Sequence, residues 1–229
     1  MLKLIALEIR KNKLLGMLKG VLIANLAILA FMILVVFIDQ SESDSFVSYT
    51  DVFEGIYVFI KATYIIFAAI LLSKLVIEEY KNNTITLLFM YPISRKKLMT
   101  AKLIIVFLFT LVNIVVADIV IGGILVGINY FINIVPGQLT LSMLSVELVK
   151  VGTSAVYAAG IGLIPLYFGM RKKSVPTTIV AAVLLVSLIS SGFDEFRLGN
   201  MAAVSIVLAV VGMFIAYLSI RNVETADID

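Results

Sequence analysis

The chain of 229 residues contains no cysteine, no histidine and no tryptophan, and only four prolines. Without Cys or His, the usual zinc sites, Cys nucleophiles, Ser-His triads, haem ligands and disulfides are excluded. The missing cysteines therefore say nothing about redox compartment. Charge is also scarce. Asp, Glu, Lys and Arg make up 14% of the residues, against about 25% in an ordinary soluble domain. Neither a G-x-x-x-x-G-K-[ST] loop nor a G-x-G-x-x-G before a helix occurs, so the chain has no phosphate-cradling motif of its own.

What fills the sequence is apolar. Hydrophobic residues make up 62% of it, and the mean hydropathy is +1.12. A soluble globule of this size cannot hide that much apolar surface, so the expected solvent is a lipid bilayer. A crossing helix needs about 20 mostly apolar residues. Six stretches qualify: Gly20–Ile38, Gly55–Ser73, Leu103–Ile128, Val151–Met170, Val175–Phe193 and Asn200–Ile220. The strict alternation of a transmembrane barrel is not seen. The expectation is an all-α integral membrane protein, a single transmembrane domain over residues 1–229. It has an interfacial helix over 1–19, spans over about 20–38, 55–77, 98–128, 146–170, 175–193 and 200–220, and a cytoplasmic loop over 78–97.

Positive charge predicts the orientation. With the N-terminus inside and six crossings, 15 of the 18 Lys and Arg residues fall on the cytoplasmic side, and Lys61, Lys150 and Arg197 do not. Both termini are then cytoplasmic. The net charge of +3 reads as topology anchors beside anionic lipid rather than as a nucleic-acid patch. The first apolar run is longer than a signal-peptide core and no small-x-small site follows it, so it reads as a span.

In residues 1–19, Leu2, Ile5, Ala6 and Ile9 share a helical face beside five basic residues, although Leu4 and Leu7 blur the pattern. This segment is either a helix lying along the inner leaflet or a basic flank that fixes topology. Gly16-x-x-x-Gly20, Gly123-x-x-x-Gly127 and the cluster Ala155, Ala159, Gly160, Gly162 predict close helix packing, inside the bundle in preference to a dimer seam for any one motif. Pro165 predicts a kink in the fourth span.

The longest inside loop is the most informative. Asn82-Asn83 suits a left-handed turn that ends the helix from span two. Thr84 is a good N-cap, Pro92 is a stop, and Ser94 can cap the helix into span three. Between the breakers lies a two-turn helix, Thr84 to Tyr91, carrying Ile85, Leu87, Leu88, Phe89 and Met90. This apolar knob either docks on a protein partner or folds back onto the leaflet.

From Glu78 to Lys102 the order is Glu78-Glu79, a turn, Thr84, a Leu-rich helix, Pro92-Ile93-Ser94-Arg95 and Lys102. It resembles the permeases of ABC-2 type exporters, whose loop carries Glu-Arg-x-x-Gly-Thr, Leu-Leu, Pro-x-Ser-Arg and Gly-Lys. Asn83 and Ala101 stand where that family usually has Gly, and Asn83 preserves the turn chemistry. Six spans and a basic N-terminal helix extend the resemblance along the whole chain. It implies an ABC-2 (type V exporter-like) fold in a bacterial cell membrane. It further implies that Thr84, Ile85, Leu87, Leu88, Phe89, Met90, Tyr91 and Pro92 form a coupling helix on a separate ABC ATPase subunit. Glu78, Glu79 and Arg95 would be loop charges, with Glu79 near basic residues of the N-terminal helix or the partner and Glu78 exposed. ATP and Mg would act through that partner, and this chain would bind no cofactor and catalyse nothing itself. A second permease copy or a sister permease would complete the path, in contact with membrane lipid and with no nucleic acid.

Two charges fall inside spans. Lys61 and Asp118 lie about 20 and 24 Å outward of Lys74 and Lys102 at about 1.5 Å per residue. They are therefore at similar depth and are expected to pair, or either to touch a polar path, unless Lys61 snorkels outward. Asn113, about one turn inward of Asp118, can extend a polar stripe. An intramembrane aspartyl enzyme needs two such Asp residues, and only Asp118 qualifies. The expected function is export of an amphipathic or hydrophobic substrate: a peptide, a peptide antibiotic or a lipid-like molecule. The alternative is a non-transporting scaffold or substrate-capturing subunit.

Overall fold

The computed structural model describes residues 2–12, 16–39, 49–81, 94–132, 140–190 and 202–222. Among these, every regular element is helical. Helix α1 is Leu2–Lys11, α2 is Met17–Asp39, and α3 is Tyr49–Lys81. Helix α4 is Arg95–Ile132, α5 is Leu141–Ile161, α6 is Pro165–Lys172, α7 is Val175–Ser190 and α8 is Ala202–Asn222. In hydrocarbon, helices are the way a chain can satisfy its own backbone polar groups.

Among the described residues, five helices are long and apolar enough to cross a membrane, against the six expected. The shortfall is α7. Its 16 residues span about 24 Å against a hydrocarbon core of about 30 Å, and the rest of its expected span lies outside the described residues. The third span is longer than expected: α4 has 38 residues. It extends past both expected ends, because no breaker interrupts it before residue 133.

Helix α3 is the centre. It packs on α4, α5 and α7, while α8 lies against α5 on one side and α2 lies against α3 and α4 on the other. Lipid tails are as apolar as Leu, so these helices are held by close packing more than by the hydrophobic effect. The glycines show where. A Cβ at Gly212 of α8 would collide with the Gly160 carbonyl oxygen of α5, and one at Gly162 would stand 2.8 Å from the Ala68 Cβ of α3. A Cβ added at Gly123 or Gly127, expected to pack inside, would meet no other element within 4 Å among the described residues, and neither would one at Gly16. They lie on the outward face of their helices.

Pro165 does more than kink the fourth span. It starts a new helix, with a turn at Gly162–Ile164 between α5 and α6. Proline has no N–H for the Ile161 carbonyl, and the Ile164 N–H takes it at 3.0 Å instead.

One core cluster gathers Leu75, Val76, Ile77, Met99, Leu103, Leu166 and Ala216, with Ile5, Ile9, Val175 and Ile220 packed against it. It brings α1, the end of α3, the start of α4 and the end of α8 to one end of the bundle. That end carries Lys11, Lys74, Lys81, Arg95, Lys96, Lys97, Lys102, Arg171, Lys172, Lys173 and Arg221.

Candidate functional site

The last turns of α3 contain a π-helical segment, Ser73–Ile77, in which the Glu78 N–H reaches back to the Ser73 carbonyl. A single π turn inserts an extra residue and rotates the rest of the helix about its axis. Ser73, Leu75, Val76 and Ile77 are all buried there. Glu79 then turns inward, 8% exposed, while Glu78 stays in solvent.

Glu79 is held from two directions. Lys11 of α1 donates to its Oε1 at 2.9 Å, and Lys102 of α4 donates to its Oε2. Lys102, 2% exposed, also donates to the Leu75 carbonyl at 2.6 Å, across the widened turn. On α1, Glu8 is buried and accepts from Asn12 at 3.0 Å, and its charge acts on Lys102. Arg95 acts electrostatically on Tyr80 across the same gap. Ser94 stands just before α4 and its carbonyl accepts from the Lys97 and Leu98 N–H groups. The two ends of the loop and the N-terminal helix are thus tied by one carboxylate. A buried charge survives only with such partners. The α1 face differs from the expected one: Ile5 and Ile9 pack inward beside Glu8, whereas Ala6 and Leu7 are exposed. Thr84, Ile85, Leu87, Leu88, Phe89, Met90, Tyr91 and Pro92, the expected partner contact, lie outside the described residues.

A second polar layer lies about 24 Å farther along α4. Asp118 is 6% exposed. Facing it on α3, at helical spacing, are Tyr57, Lys61 and Tyr64, and all three feel its charge. The expected Lys61–Asp118 contact is not made: no ion pair within 4.0 Å joins them. Both tyrosines donate elsewhere. Tyr57 donates to Glu147 of α5, and Tyr64 donates to the Asn25 Oδ1 of α2 at 2.8 Å. Asn113 turns its amide onto its own helix, donating to the Phe109 carbonyl at 2.7 Å. Glu147 is missed by sequence reasoning because it precedes the uncharged run that marks the fourth span. It is buried and also accepts from Lys150 at 2.8 Å. The available signal is an acidic residue flanked by Val146, Leu148 and Val149.

Beyond this layer, away from the basic end, an apolar cleft opens between α2, α3 and α4, lined by Ile33, Val36, Val52, Phe53, Gly122 and Leu125 among others. At that level Asn129 donates to the Tyr49 hydroxyl. Among the described residues no group of three or more His, Cys, Asp or Glu could hold a metal.

Residues 4–188 match the family model described as "ABC-2 family transporter protein". The chain is 41% identical over 227 residues to "Uncharacterized protein YcbO" of Bacillus subtilis (strain 168), covering 99% of this chain and 100% of that protein. No solved structure matches the chain.

Proposed function

Because the chain belongs to the ABC-2 transporter family, and is a multi-pass permease of the cell membrane, we propose that it is the transmembrane subunit of an ATP-driven exporter. It moves an amphipathic or hydrophobic substrate, such as a peptide, a peptide antibiotic or a lipid-like molecule, out of the cell by alternating access. A separate ABC ATPase subunit docks on the segment 84–92, and a second copy or a sister permease completes the path. The basic end of the bundle faces the cytoplasm.

The observation that carries this reading is Glu79 joined to both Lys11 and Lys102. A load applied to the loop between residues 82 and 93 passes through that carboxylate to α1, α3 and α4 together, so the helices move as a unit. The apolar cleft and the scarcity of charge in the spans support an apolar component in the substrate. The outward Gly123 and Gly127 leave room for a neighbouring helix.

The test is co-purification of a co-expressed ABC ATPase. Leu88→Glu or Phe89→Glu is expected to abolish capture while the permease stays folded in the membrane. Undiminished capture by both variants, or labelling of residues 84–91 from outside the cell, overturns the reading.

A further inference from the structure

The Asp118 layer and the apolar cleft lie next to one another along the same two helices. Asp118, Gly122 and Leu125 succeed one another at helical spacing on α4, as Phe53, Tyr57 and Lys61 do on α3. Phe53 and Gly122 both line the cleft. The Phe53 ring lies against the place where Gly122 lacks a side chain, 3.2 Å from where a Cβ would stand. Phe53 and Gly122 thus form one contact in the cleft wall, and Asp118 lies about one helical turn from Gly122 along α4.

That carboxylate is incomplete. Its Oδ1 is fully buried and has no hydrogen-bond partner among the described residues. The two tyrosine hydroxyls beside it are committed to Glu147 and Asn25. Lys61 acts on it only at a distance. A sealed acceptor with no donor is costly in hydrocarbon, and such intramembrane charges generally serve a partner. What the site lacks is a cationic N–H donor. The way to it is apolar.

We propose that the cleft and Asp118 form one binding site for an amphiphile with a cationic amine head. The apolar chain lies in the cleft between α2, α3 and α4. The Phe53 ring swings off Gly122, and the ammonium donates to Asp118 Oδ1. Lys61 is a tethered cation that balances the carboxylate while the site is empty and yields to the incoming head group. That such a ligand is the transported substrate rests on the exporter reading, whereas its binding here does not.

The test uses the full chain in uncharged maltoside detergent, with no ATPase present, and tracks the thermal midpoint against added ligand. Dodecylammonium is expected to raise the midpoint, and its N-acetylated, uncharged form is not. Asp118→Asn weakens half-saturation by about tenfold or more, the scale of one lost charge-assisted bond. Lys61→Met tightens it by removing the competing cation. Trileucine amide carries the same ammonium on a peptide: a response to it as well assigns a peptide source, and a response to dodecylammonium alone assigns a lipid-like one. Equal binding by wild type and Asp118→Asn, or equal response to the acetylated form, overturns the proposal. If Asp118→Asn does not fold, unchanged or weaker binding by Lys61→Met does so. If binding depends on Asp118 but the ligand leaves a bound ATPase unstimulated, the site stands and the exporter reading fails.

Discussion

The ammonium of Lys102 and the carboxylate of Glu79, 23 residues apart in sequence, meet in the protein interior where α3 ends and α4 begins. Lys102 is almost fully buried and Glu79 nearly so. Removing one partner leaves the other desolvated and alone, which costs about 3–5 kcal/mol. Glu79→Ala or Lys102→Met is therefore expected to lower the thermal midpoint steeply. The double variant Glu79→Leu with Lys102→Met recovers most of the loss. No recovery would mean that the pair is not the reason for the cost.

Lys11 shares the same carboxylate from the surface, with its side chain 48% exposed. An exposed ion pair contributes about 0.2–1 kcal/mol at most. Lys11→Met is expected to leave the midpoint nearly unchanged but to loosen α1, read as faster hydrogen exchange over residues 5–11. Unchanged exchange would show that Ile5 and Ile9 alone hold that helix.

The contact of α5 with α8 is backbone on backbone at Gly160 and Gly212. Gly212→Ala has no flexible side chain to push aside, so the two helices must separate. A loss of about 1–3 kcal/mol in detergent unfolding is expected, the scale of overpacking. Gly123→Ala, whose new methyl meets no other element within 4 Å among the described residues, is the matched control and stays within about 0.5 kcal/mol of wild type. Equal losses at both positions would refute the packing argument.

Tyr57 ties α3 to α5 through Glu147. Tyr57→Phe removes one bond to an ionised group, a loss of about 1.5–3 kcal/mol. A double-mutant cycle with Glu147→Gln measures the coupling, and a coupling near zero would remove the bond from the account.

The helices were readable from the sequence because each span is a long apolar run with basic residues at one end, and that signal is local. Pro165 was readable as a kink for the same reason, since a missing N–H acts on its own turn, although the new helix it starts was not. The partners of Glu79 were not. Lys11 lies 68 residues away, and which of two adjacent glutamates turns inward depends on a π turn that no residue type in Ser73–Ile77 announces. The Gly123 and Gly127 spacing gave a packing motif but not its direction, because an outward and an inward small-residue stripe look alike in one dimension. Lys61 and Asp118 were placed at matching depth by counting residues, yet the count carries no information on where the tyrosine hydroxyls between them point.

The extra residue carried by Ser73–Ile77 acts as a gear tooth. Wind the same five residues as ordinary α-helix and everything downstream is dialled round by about 100°. The acid at the loop's root would swing off Lys102, and the chain beyond it would leave the bundle on another bearing. The width of one backbone turn is therefore as much a part of the machine as the identity of any side chain beside it.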